Sequence, residues 1–217
     1  MSTSANSSTT QLPPSSEAKA PTFIERYRIL VSGKTRIWTA WIAAISIGYF
    51  AKQMPSLPGI LVCFAGASLR TWASGYLRKD TRPAVGGPYA WVRNPLYLGT
   101  YLMAVGVLWA VESWIPLALV SIVFAAIYHF IIFDEEVKLK RIFGEPYLLY
   151  LQSVPRFFPR PWKPAKATLL QINPEESHLK YDWALSKKNK WYEAYATFGA
   201  MIGYVSLAAW IWSQVQR

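Results

Sequence analysis

The sequence predicts an all-α fold, a polytopic integral membrane helical bundle with about five transmembrane helices, and three observations carry that prediction. Of 217 residues, 53% are hydrophobic and only 16% charged, where soluble domains carry about 25% charged residues. The apolar residues gather in long uncharged runs, and Trp and Tyr collect near the ends of those runs, as interfacial aromatic belts do. Lys and Arg are distributed unevenly between the runs. The length suits one domain with appendages rather than two.

The chain opens on a tail, 1–22, with nine Ser or Thr among its first twenty residues, the adjacent Pro13 and Pro14, and almost no large apolar side chains. Such a segment buries too little apolar surface to offset the entropy of ordering, so disorder is expected. Before Lys19 there is no apolar core behind an early positive charge, and Ser2 stands where myristoylation needs Gly. The membrane assignment therefore rests on internal segments. A hydrocarbon core of about 30 Å takes around 20 helical residues. The candidate runs are Ile37 to Ala51, extended through a snorkelling Lys52; Leu57 to Leu77, broken only by Arg70; Pro95 to Val111; Ser113 to Phe133; and Ala194 to Trp212. Val111-Glu112-Ser113 is short enough to require a tight helical hairpin. These runs give a membrane core at 23–160 with four spans and an extension at 161–217 with a fifth.

Orientation follows from the basic residues. Arg26, Arg28, Lys34 and Arg36 precede the first run; Arg78, Lys79, Arg82 and Arg93 lie between the second and third; Lys138, Lys140, Arg141, Arg156, Arg160 and a lysine-rich stretch to Lys190 follow the fourth. The opposite loops hold Lys52, Glu112 and Arg217. By the positive-inside rule the amino terminus is cytoplasmic and the carboxyl terminus lies outside. The net charge of +11, in so apolar a chain, suits anionic membrane lipids rather than nucleic acid. Cys63 is the single cysteine, which excludes an intrachain disulfide and a multi-cysteine metal site; its mid-span position suits an inert apolar residue. No Asp or Glu spacing around His129 makes a metal site, and an interhelical hydrogen bond is the plainer role for that side chain. No metal is expected.

Two basic-side stretches carry candidate chemistry. The first runs from Gly86 to Gly99 through Tyr89, Trp91, Arg93, Asn94, Pro95, Leu96 and Tyr97. Its glycines and prolines make turns with exposed amides, and Pro95 suits the first turn of a helix whose start accommodates negative charge. A plain turn with an interfacial Arg and two belt tyrosines is the alternative. The second stretch, Asp134-Glu135-Glu136 to Tyr147, runs straight out of the fourth span. A helix cannot turn three consecutive carboxylates to one partner. Seven-residue spacing puts Tyr128, Glu135 and Ile142 on one stripe and His129, Glu136 and Phe143 on the next, about 100° round. At least one carboxylate should face the bundle; pairing of Glu136 with Lys140 on a solvated face is the plainer expectation for that residue.

Together, Gly87-x-Tyr89-x-x-x-Arg93-Asn94-Pro95-x-Tyr97-x-Gly99 and Glu135-Glu136-x-x-Leu139-x-x-x-Phe143-Gly144-x-x-Tyr147-x-x-Tyr150, with Val154-Pro155 beyond, resemble the isoprenylcysteine carboxyl methyltransferase family and its relatives among the phospholipid methyltransferases. The resemblance covers roughly Leu57 to Pro159. It implies a polytopic helical membrane enzyme that binds S-adenosylmethionine in a pocket open to the cytoplasm and methylates a lipid-borne or apolar acceptor entering from the bilayer. It further implies that Tyr89, the segment Asn94, Pro95, Leu96 and Tyr97, and Glu135 contact the cofactor. Two positions depart from the family: Asn94 replaces a common His, and Ile131 replaces an Arg implicated in binding prenylcysteine. The cofactor inference stands with both, whereas the second points away from a prenylcysteine acceptor.

Methyl transfer from a sulfonium is an in-line displacement, so the protein must align the reactants, exclude water and balance charge. An ionised carboxylate acceptor needs no base; an amine or thiol must lose a proton to Glu135, Glu136 or water. Arg93 suits either the cofactor carboxylate or an anionic acceptor. A phospholipid amine or a small thiol is an alternative acceptor. A membrane scaffold or transporter subunit is the reading from a different class, although transporters show repeats or broken helices, and only Arg70 and His129 are ionisable within the runs.

Overall fold

The computed structural model describes residues 47–78 and 82–216. They fall in the compact unit Ala40–Arg217. The tail expected over 1–22 and most of the first apolar run lie outside the described residues; the end of that run is helical at Ile47–Phe50. Among the described residues every regular element is a helix: α1 (Leu57–Ser74), a 3-10 turn (Gly87–Ala90), α2 (Pro95–Ala110), α3 (Trp114–Phe143), α4 (Glu145–Ser153), α5 (Lys166–Ile172), a second 3-10 turn (Glu176–Leu179), α6 (Trp183–Lys188) and α7 (Tyr192–Val215).

Small residues set the closest approach. Gly59 lies against Ala110, Gly66 against the Gly99 carbonyl and Met103, and Gly106 against Cys63, where a Cβ on Gly106 would come within 2.3 Å of the Cys63 amide nitrogen. Small residues at a helix interface let backbones meet where lipid gives no hydrophobic drive to association. Gly99 also leaves room for Arg70, whose Nη1 donates to the Leu96 carbonyl at 3.5 Å and to the Thr100 hydroxyl. The one charge on α1 is thus turned to α2.

Helix α7 packs on the other side of α1. The Ser68 and Tyr195 hydroxyls are 3.3 Å apart, Thr71 donates to the Trp191 carbonyl, and Phe64 meets Tyr195 at a tilt and Phe198 edge-on. The hairpin expected at Val111-Glu112-Ser113 forms, with Glu112 at φ 53° and the Ser113 amide donating to Leu108. On the return, Tyr97 meets Tyr128 and Tyr101 meets Phe124, with the Tyr101 hydroxyl donating to Ser121.

At about 1.5 Å per residue, the 30 residues of α3 run roughly 45 Å. Over that length only Ile132 and Glu136 are buried, while Ile115, Leu119, Ile122, Val123 and Phe133 are exposed. So large an apolar surface marks a membrane or partner contact.

Among the described residues two helices, α3 and α7, are long and apolar enough to cross a membrane, with mean hydropathies of 2.4 and 1.4, against the five spans expected. Helix α2 is apolar but has 16 residues, about 24 Å. Helix α1 stops at Ser74, short of Leu77, because Asn189 Nδ2 donates to the carbonyls of Ser74 and Leu77 at 2.8 Å and satisfies the chain end there. Beyond the apolar part of α3, a polar-end core forms from Val85, Ala90, Tyr147, Tyr150, Val154, Leu169 and Ile172. It packs the first motif on α4 and α5.

Candidate active site

Proline starts α2 where its missing amide costs nothing. Asn94 precedes it but does not cap the helix with its side chain; its Nδ2 donates instead to the Arg156 carbonyl at 2.9 Å, and the Arg93 amide donates to the Pro155 carbonyl at 2.9 Å. These bonds tie the first motif to the chain leaving α4. The 3-10 turn presents Tyr89, whose carbonyl accepts from the Tyr150 hydroxyl at 2.8 Å.

A cavity of about 400 Å³ lies between the two motifs, within the range of small-molecule and cofactor sites. Tyr89, Arg93, Asn94, Pro95, Leu96 and Tyr97 line one side; Glu135, Lys138, Leu139, Ile142 and Phe143 on α3 line another, with Tyr147 and Tyr150 of α4; Leu77, Arg78, Arg82, Pro83 and Ala84 complete the wall. Every cofactor-contact residue expected from the sequence is therefore in one cavity. The Tyr97 hydroxyl donates to Glu135 Oε2 at 3.0 Å and its ring meets Tyr128, while Glu135 and Ile142 line the cavity, so the three share one stripe as the spacing predicted.

Glu136 corrects an expectation. It does not sit on a solvated face with Lys140, nor does it line the cavity. It is buried, with Arg93 Nη1 at 3.2 Å and Arg156 Nη2 at 2.6 Å and Nε at 3.2 Å. A carboxylate leaving water needs such compensation, and two guanidiniums supply it. The cluster joins the first motif, α3 and the chain after α4. His129 is exposed, its ring edge-on to Phe130, rather than buried between helices.

Among the described residues, the Tyr89 hydroxyl and Arg93 Nε are buried without a hydrogen-bond partner. Burial, with the Glu135 carboxylate beside it, pushes the Tyr89 hydroxyl well above the ordinary phenol range, so it stays a donor. Burial likewise raises Tyr147 and Tyr150, with the Glu136 charge adding at Tyr147 and the neighbouring Tyr89 and Tyr147 hydroxyls at Tyr150. Unmatched donors beside a cavity are what a bound polar ligand would satisfy, since leaving them unpaired costs about 1 to 3 kcal/mol each.

Arg156 escapes sequence reasoning as a site residue, because twenty residues and a glycine break separate it from Glu136. Arg78, Arg82 and Lys138 enter the sequence argument only as topological charges; the signal for a closer role is their nearness to the two motifs.

Two apolar helices of membrane-crossing length and a cavity of small-molecule size walled by the two motifs are the features to set beside known proteins. Residues 68–146 match the model of the phospholipid methyltransferase family, which includes isoprenylcysteine carboxyl methyltransferase-like proteins. The chain is similar to the nickel-cobalt-cadmium resistance protein NccN of Alcaligenes xylosoxydans xylosoxydans, 31% identical over 133 residues, covering 60% of this chain and 58% of that protein. It is also similar to the cobalt-zinc-cadmium resistance protein CzcN of Cupriavidus metallidurans, 29% identical over 147 residues, covering 64% of this chain and 66% of that protein. The chain thus spans less than two thirds of the length of these curated relatives. No solved structure matches.

Proposed function

We propose that this chain is an integral membrane methyltransferase that binds S-adenosylmethionine in the cavity between its two motifs and methylates a lipid-borne or apolar acceptor. The observation that carries the reading is the convergence of Tyr89, Asn94 to Tyr97 and Glu135 on one cavity, with a buried, unmatched hydroxyl on its lining residue Tyr89. Those residues fit the cofactor's mixed charge: Glu135 and Tyr97 suit its ammonium or ribose hydroxyls, and Arg93 or Lys138 its carboxylate.

When bound, the cofactor supplies a methyl group on a sulfonium already activated for displacement. The chain's part is to position and to exclude water. Tyr89, kept protonated, is a hydrogen-bond donor to the ligand. Leu96, Leu139, Ile142 and Phe143 give the cavity its apolar lining and keep competing water out. A carboxylate acceptor needs no base; for an amine or a thiol, Glu135 or water takes the proton. Glu136 holds Arg93 in place and touches neither reactant. Because Ile131 stands where a prenylcysteine-binding Arg is common, another apolar or lipid-borne acceptor is favoured over prenylcysteine. Among the described residues no three of His, Cys, Asp and Glu stand together as a metal site.

The topology proposed is five spans with the amino terminus and the cavity cytoplasmic. A reporter after Arg217 should read as external and one inserted at Lys166 as cytoplasmic; matching signals would remove the fifth span. The function is tested by calorimetric titration of detergent-purified full-length protein with S-adenosylmethionine, followed by transfer of a labelled methyl group to total membrane lipids, a small thiol and a prenylcysteine analogue offered side by side. Binding and transfer to an apolar or lipid acceptor are expected. No binding leaves the scaffold reading.

A further inference from the structure

The stretch Asn173–Asn189 lies beyond the matched residues and beyond both motifs, yet its polar groups converge on one wall of the cavity. Asn173, buried, donates from Nδ2 to the Pro83 carbonyl at 3.1 Å. Its Oδ1 accepts from the Glu175 amide and its Nδ2 lies 3.1 Å from His178 Nδ1, so the asparagine is itself held. Glu175 pairs with Arg82 at 3.6 Å and Asp182 with Arg78 at 3.0 Å. The Asp182 amide donates to the Gly75 carbonyl, and Ser186 meets Ser74 at 2.8 Å. The His178 carbonyl sits so close to Gly86 that a Cβ there would come within 2.6 Å of it. Leu77, whose carbonyl accepts from Asn189, and Arg78, Arg82 and Pro83, which these contacts hold, all line the cavity.

We propose that Asn173–Asn189 is a positioning strap: it fixes the loop wall of the cavity and thereby sets the affinity of the ligand bound there. A wall built from loop rather than helix must be ordered by something, and ordering it before binding spares the ligand that cost. The strap does so through backbone carbonyls and through the two guanidiniums, with Asp182 hydrogen-bonded to Arg78 at 3.0 Å and Glu175, itself 2.8 Å from His178 Nε2, 3.6 Å from Arg82. The ligand assignment rests on the methyltransferase reading; the ordering of the wall does not.

The half-exposed pairs separate positioning from mere stability, because surface ion pairs add little to folding. The test uses full-length detergent-purified protein carrying Glu175→Gln with Asp182→Asn, which keeps the cap to Leu185, and in parallel Asn173→Ala. S-adenosylhomocysteine is the probe. The double variant should melt within about 4 °C of wild type while its Kd rises about fivefold to tenfold, and amide exchange over Arg82–Gly87 should quicken in both variants. An unchanged Kd at unchanged melting, or unchanged exchange, overturns the strap. If wild type does not bind the probe, the methyltransferase reading fails, and the exchange rates alone then decide for or against the strap.

Discussion

Toward the end of α3, Glu135 is exposed, lines the cavity and accepts a hydrogen bond from Tyr97, whereas Glu136, about 100° round the helix, is buried between Arg93 and Arg156. The same side chain on successive residues thus has two different surroundings. Glu136 is an anchor whose charge is matched within the protein, and the motif segments it joins form the frame. Glu135 is steadied by a neutral tyrosine hydroxyl rather than by guanidiniums, and its carboxylate opens onto the cavity. The difference teaches that acidity in a motif does not tell which carboxylate is left open to a cavity; the counter-charges around each do.

That contrast is sharpest under mutation. Glu136→Gln leaves two guanidiniums facing a neutral amide, and breaking a buried pair in this way costs about 3 to 5 kcal/mol. The melting temperature in detergent should fall by roughly 6 to 20 °C; a melt within error of wild type would remove the anchor role. Arg156→Ala takes away one of the two partners, the one with 35% of its side chain exposed, so the expected loss is about 1 to 3 kcal/mol in the same assay. Tyr97→Phe deletes the hydroxyl that holds Glu135 and should weaken cofactor binding about fivefold, roughly 1 kcal/mol, with no matching change in melting.

The smallest effect is expected away from both glutamates. Burial, with the Arg78 charge adding, holds the His178 imidazole below its ordinary value. A depressed folded pKa means that the unfolded chain binds the proton more readily, so this contribution is present above about pH 6.5 and is lost as pH falls through that value toward the folded one. Melting should therefore drop between pH 7.5 and 5.5, and drop less in His178→Gln. Equal drops would assign the acid sensitivity elsewhere.

Much of this contrast is legible in the sequence. Uncharged runs mark α1, α2, α3 and α7, Pro95 marks the start of α2, and the seven-residue stripe places Glu135 with Tyr128 and Ile142. The ends are less legible, because Asn189, more than a hundred residues on, stops α1 at Ser74. The partner of Glu136 is hidden for the same physical reason: Lys140 is near in sequence, while Arg156 reaches it only after Gly144, at φ 60°, turns the chain back. The strap is illegible because its asparagines act on backbone carbonyls and its carboxylates on arginines far away in sequence, neither of which a local side-chain pattern announces.

The central claim, that Glu135 serves the ligand and Glu136 the frame, is tested most directly by the affinity of Glu135→Gln for S-adenosylmethionine, measured by calorimetry beside its melting temperature. Loss of one charge-assisted hydrogen bond, about 1.5 to 3 kcal/mol, predicts binding roughly tenfold to a hundredfold weaker with melting unchanged. Affinity equal to wild type in folded protein, or a fall in melting as large as that of Glu136→Gln, would contradict it.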